Sequence, residues 1–170
     1  MSTRIAHATW TGTLKSGTGS FNGDSGLSGN YSFASRFQDG TGSTPEELLA
    51  AAQAACFSMA LEGALDENGT PATNIQTDAA CSIVKDKDGD GFKITLMQIR
   101  VRAAVPNLDN DAFVKIANKT LKQCPVSKAL TGIPEVTLDA ALVPTAGDGS
   151  VQPMFFQSGG SGGTFPNIRI

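Results

Sequence analysis

Hydrophobic and polar positions change their period several times along the chain. Ala8 and Trp10 alternate with Thr9, Thr11 and Thr13, and Tyr31 and Phe33 flank Ser32. A period of two predicts strands. Gly17, Gly19, Gly23, Gly26 and Gly29 punctuate the connections, so an antiparallel meander is expected from Ala6 to Ser35. The pattern then turns helical. Thr44-Pro45-Glu46-Glu47 reads as a capping box with Pro at the first helical position. The helix should run to about Leu65. Its apolar residues fall on nearly every face, which predicts a central, buried helix. Its many alanines leave little bulk between it and its neighbours.

Asn74 to Val84 reads as a strand, Asp86 to Gly91 as a turn, and Phe92 to Val105 as a long second strand. In that strand Phe92, Ile94 and Leu96 are even-numbered, while Ile99, Val101, Ala103 and Val105 are odd-numbered. The change of parity predicts a bulge or bend near Met97-Gln98. Ala112, Phe113, Ile116, Ala117, Thr120 and Leu121 form the stripe of a second helix over 109–123, with Asp109 as its cap. Pro125 disfavours a helical residue before it, so the helix stops at Cys124 and a short one restarts through Leu130. Val136, Leu138, Ala140 and Leu142 alternate in a last strand over 135–143. Two long helices among antiparallel strands define an α+β domain.

Composition narrows the function. The chain has 170 residues and a net charge of −3, with 13 basic and 16 acidic residues and no Lys/Arg block. A nucleic-acid partner is therefore not expected. One domain is expected over 1–143, followed by an extension over 144–170 whose Ser158 to Gly163 reads as a flexible Gly/Ser linker. The longest apolar run, Leu48 to Leu61, falls short of the roughly 20 residues of a membrane span. The first residues do not resemble a signal peptide. The expected setting is the cytoplasm, with no membrane partner.

Three cysteines, Cys56, Cys81 and Cys124, are an odd set, which does not suit a secreted disulfide framework. Each has a plain alternative as a small core residue. Cys81 suits that role best, beside Ala79 and Ala80 in a strand. Cys124 precedes a helix restart, where free N–H groups stabilise a thiolate, and physics alone slightly favours it as the activated thiol. Cys56, in mid-helix, would need a cation. Lowering a thiol pKa from about 8.5 to about 6 takes roughly 3.4 kcal/mol. Arg36, in Ser35-Arg36-Phe37, is the candidate cation, and Glu46 the carboxylate that could hold it in a bidentate pair. Their bland readings are a surface charge and a complement to the helix dipole. The only histidine, His7, would have to supply any Cys-His hydrolase. Asp86-Lys87-Asp88-Gly89-Asp90-Gly91 begins like a calcium loop, but its twelfth position is Met97 rather than Glu. No cofactor or metal is expected.

Thr44 to Ala52, Ala54 to Leu61, Ser35-Arg36-Phe37 and Cys124-Pro125-Val126-Ser127-Lys128-Ala129-Leu130 together resemble the OsmC/organic hydroperoxide resistance family. The similarity covers about Ala6 to Val143. It implies an intertwined homodimer, with antiparallel sheets around two long central helices per chain and active sites at the subunit interface. It implies a thiol peroxidase for hydroperoxides in oxidative and osmotic stress, with Cys56 attacking, Cys124 resolving, and Arg36 and Glu46 activating. This reverses the preference for Cys124 as nucleophile. It also implies an external dithiol reductant, such as a lipoylated or thioredoxin-like protein. Gln53 departs from the family, where His is frequent. The competing reading is a non-catalytic homodimer that binds a small molecule or acyl group and whose cysteines only pack.

Overall fold

The computed structural model describes residues 3–144. The Gly/Ser stretch and the rest of the extension from 145 on lie outside the described residues. The chain divides into two compact units, one up to Leu48 and one from Leu49.

The first unit is the expected meander. Strands β1 (Ala6–Thr11), β2 (Thr18–Gly23) and β3 (Ser28–Ser32) pair antiparallel in that order. Its cohesion is aromatic. Tyr31 stacks at a tilt between Trp10, at 5.6 Å, and Phe21, at 6.4 Å. Gly19 makes this possible, because a Cβ there would run into the Tyr31 ring. One expectation fails at Phe33. The strand ends at Ser32, and Phe33–Phe37 is a short helix, α1. The Ser32 hydroxyl accepts the Ser35 N–H at 3.0 Å, and the Ser35 hydroxyl accepts the Ser32 N–H at 2.9 Å. This reciprocal cap outweighs the alternation of Tyr31 and Phe33.

Helix α2 (Pro45–Glu67) opens as expected, with the Glu47 N–H donating to Thr44 Oγ1 at 3.1 Å. In the second unit Phe57, Leu61 and Leu65, four residues apart, are fully buried. They pack on β4 (Asn74–Lys85), β5 (Phe92–Ala104) and β6 (Glu135–Leu142), joined by Phe113 and Ala117 of α3 (Asn110–Gln123). From the sheet come the alternating Met97, Ile99, Val101 and Ala103. Burying a side chain such as Phe57 contributes about 2 kcal/mol. Asp109 caps α3 as expected, accepting the Ala112 N–H at 2.9 Å.

Three features differ from expectation. The bulge lies at Thr95, between the pairs Leu96–Ser82 and Ile94–Ile83, slightly before the anticipated place. Beyond it the odd-numbered Met97, Ile99, Val101 and Ala103 face the core. Strands β4 and β5 are antiparallel, but β6 runs parallel to β5, because the α3 crossover carries the chain back to the same end. Helix α2 is also less buried than its composition suggests. The sheet covers one stripe, leaving Ala51, Ala52 and Ala55 exposed and Met59 at 74% exposure. At 23 residues, α2 is in fact long and apolar enough to cross a membrane by length and composition alone, which the 14-residue run did not suggest. A core helix meets the same measure, and the Phe57 stripe rests on the protein's own sheet.

Candidate active site

The first unit holds the charge pair. Arg36 lies in the last turn of α1, not at a strand end. Its Nη2 donates to Glu46 Oε1 at 2.6 Å, and its Nε to Glu46 Oε1 and Oε2 at 3.2 and 3.3 Å. Its guanidinium also lies 5.1 Å from the Phe37 ring centre. Glu46 is buried in the first turn of α2, where a carboxylate faces free N–H groups. A fork held at both nitrogens has a fixed direction, unlike a solvated surface arginine. The guanidinium borders an apolar cavity of about 320 Å³ lined by Trp10, Leu14, Tyr31, Phe33, Phe37 and Pro45. Arg36 is the only charged group in that lining.

The second unit holds the thiols. Cys56 sits midway along α2, and Cys124 is the residue that opens the five-residue helix α4 (Pro125–Ala129). Their Sγ atoms are 3.2 Å apart, in hydrogen-bond contact and unlinked. A disulfide needs about 2.05 Å, so closure requires only a small approach. Burial pushes the Cys56 thiol up, and the neighbouring Cys124 adds to this against one favourable Val126 backbone contact. No cation is among the described groups that shift it. Burial also acts upward on Cys124. There the Ser127 N–H, the Cys56 thiol, the Ser127 hydroxyl and the Val126 N–H together prevail, and the thiol is lowered. Within one chain the two thiols are thus pushed in opposite directions, Cys56 up and Cys124 down.

Cys81 lies elsewhere, half-buried in β4 opposite Met97 and packed on the core. The Asp86 turn forms, and the Lys93 ammonium sits 2.8 Å from Asp86 Oδ1, occupying that carboxylate. Among the described residues, no three His, Cys, Asp or Glu side chains gather into a metal site. Two residues beside the thiols carried no assigned role in the sequence: Gln53 and Ser127. Gln53 Nε2 donates to Ser127 Oγ at 2.8 Å. The signal was spacing, since Gln53 precedes Cys56 by three and Ser127 follows Cys124 by three.

Two unlinked thiols thus meet at 3.2 Å in an α+β frame. Residues 38–139 match the family of OsmC-like proteins. Peroxiredoxin OsmC of Escherichia coli K12 is 42% identical over 137 residues, covering 79% of this chain and 93% of that protein. Organic hydroperoxide resistance protein OhrB of Bacillus subtilis is 35% identical over 103 residues, 58% of this chain and 70% of that one. The crystal structure of B. subtilis OhrB aligns with a TM-score of 0.61 at 29% identity, over 82% of this chain and 98% of that chain. The chain belongs to the OsmC family.

Proposed function

We propose that this protein is a cysteine-based peroxidase that reduces hydroperoxides in stress defence, working through Cys56 and Cys124. The observation that carries the reading is the 3.2 Å contact between the two sulfurs, together with membership of a family whose relatives are named as peroxiredoxin and hydroperoxide resistance proteins. The Cys56 thiolate attacks the distal peroxide oxygen. The O–O bond breaks, an alkoxide leaves and takes a proton to become the alcohol, and Cys56 becomes a sulfenic acid. The Cys124 thiolate then attacks the Cys56 sulfur, hydroxide leaves as water, and a disulfide forms. An external dithiol, lipoyl or thioredoxin-like, is oxidised as it restores both thiols. Such a cycle suits a compartment that keeps thiols reduced, which the cytoplasm is.

The first step needs Cys56 deprotonated, and a single chain works against this. We assign the missing positive charge to Arg36 of a second copy. Glu46, which holds Arg36, is ten residues from Cys56 on α2, about 15 Å of rise. If two α2 helices pack antiparallel about a two-fold axis, Glu46 of one comes level with Cys56 of the other when they cross at residue 51. Ala51, Ala52 and Ala55 are exposed there and small enough for close approach. In such a homodimer the guanidinium steadies both the thiolate and the charge on the departing oxygen. The aromatic cavity beside Arg36 would take the organic group of the peroxide, giving organic hydroperoxides the preference.

Peptide mass spectrometry after one equivalent of cumene hydroperoxide tests the pair. A Cys56–Cys124 disulfide with Cys81 unchanged is expected, and oxidation that bypasses both would overturn the reading. Equal initial rates with cumene hydroperoxide and hydrogen peroxide would remove the organic preference alone.

A further inference from the structure

The resolving step asks something of Cys124 that the Cys56 thiol cannot supply. In the reduced protein Cys124 Sγ donates to Cys56 Sγ at 3.2 Å. To attack the Cys56 sulfenic acid, Cys124 must have given up that proton and be an anion. Something else has to keep the proton off Cys124. Ser127 stands three residues after Cys124, the position from which a side chain reaches back to the residue that opens a helix. Gln53 Nε2 donates to Ser127 Oγ at 2.8 Å. A hydroxyl has one proton, and with a lone pair occupied by Gln53 that proton is free to point at the Cys124 sulfur. Gln53 is 1% exposed, Cys124 fully buried and Ser127 half-buried, so water has limited access to these contacts.

We propose that Gln53 and Ser127 form a hydrogen-bond relay that holds the Cys124 sulfur ready to close on oxidised Cys56. They are positioning residues, acting through Cys124 rather than on the peroxide. The inference rests on the reading of Cys124 as the resolving thiol. In that step the Cys124 thiolate bonds to the Cys56 sulfur, the S–O bond breaks, and hydroxide leaves and is protonated to water. The relay donates a hydrogen bond to the sulfur and gives up no proton. The lowering of Cys124 by the Ser127 N–H and hydroxyl agrees with it. Gln53 has no titrating proton, so the relay works alike across the neutral range, and the pH dependence of closure belongs to Cys124 alone.

Rapid mixing of the reduced protein with cumene hydroperoxide, from pH 5 to 9, separates Cys56 oxidation from disulfide closure. In Ser127→Ala, closure is expected to slow about tenfold at pH 7, with its pH midpoint rising by about one unit. At excess peroxide, more Cys56 should be trapped as sulfinic acid. Ser127→Thr, which keeps the hydroxyl, should restore the midpoint. Gln53→Met, which keeps the volume but not the amide donor, should shift it in the same direction as Ser127→Ala and serves if that variant does not fold. A closure rate that falls equally at every pH, or does not change, overturns the relay and leaves the peroxidase reading standing. A wild-type protein that oxidises Cys56 but never closes the disulfide overturns both.

Discussion

Arg36 with Glu46, and Cys56 with Cys124, are both tight pairs, yet they are built in different surroundings. The charge pair rests on a thin aromatic meander, with the Arg36 side chain 34% exposed and an open apolar cavity beside it. The dithiol is set into a packed core, with Cys124 fully buried and Phe57 buried next to Cys56. The guanidinium keeps a reachable face, while Cys124 is buried and Cys56 half-buried, their sulfurs in hydrogen-bond contact. The difference teaches that each pair is internally satisfied and still chemically incomplete. The cation is held by Glu46, and no cation is among the described groups that shift Cys56.

The sharpest way to break the comparison is to remove one sulfur at a time. Cys56→Ser should reduce dithiol-dependent peroxide consumption to background. Cys124→Ser should still consume one equivalent and leave a sulfenic acid, detected by a sulfenic-specific label, with no internal disulfide. Full turnover in both variants would dissolve the pair.

Next in size is the guanidinium. Arg36→Ala should slow Cys56 oxidation by about 10²–10³-fold, the usual cost of losing one group that stabilises transition-state charge. Stopped-flow oxidation reads this directly. Arg36→Lys should recover only part, because an ammonium cannot make the fork with Glu46.

A smaller effect sharpens the claim that two copies complete the site. Ala52→Glu places a charge on the exposed face of α2, and sedimentation should show a shift to single copies. Cys56 alkylation by iodoacetamide should then become slow at neutral pH and rise only above the ordinary thiol range, the direction burial and Cys124 impose. The two thiols also pull reduced-state stability in opposite senses. Cys124 is lowered on folding, so its stabilisation is present above the unfolded thiol pKa of about 8.5 and fades as pH falls through its folded value. Cys56 is raised, so its contribution is present below that pKa and fades as pH rises through its folded value.

The smallest effects come from the helix caps. Thr44→Ala and Asp109→Ala each remove a cap worth about 1 kcal/mol, or about 2–4 °C in melting temperature. Only Thr44→Ala loosens the turn that carries Glu46, so turnover should fall in that variant and not in Asp109→Ala. Equal losses of activity would mean that general stability, not the placing of Glu46, is being read.

Much of this was legible in the residues. Both long helices, their caps at Thr44 and Asp109, the break at Cys124-Pro125 and the aromatic meander follow from spacing and local hydrogen bonding. The four site residues followed from a resemblance, while thiol physics alone pointed to Cys124. In the structure the two sulfurs meet at 3.2 Å, with Cys124 lowered and Cys56 raised within one chain. Phe33 was misread because a two-residue alternation is weaker than the Ser32–Ser35 cap. The bulge was misplaced because parity locates a slip only to within a few residues.

By itself, the sequence determined most of the elements and their caps, because these depend on neighbours within a few residues. Only the tertiary structure decided that Gln53 meets Ser127, that β6 lies parallel to β5, and that one face of α2 stays bare. Those outcomes depend on contacts between segments up to 74 residues apart. No local pattern encodes which of several apolar faces a sheet will cover, nor which thiols will meet.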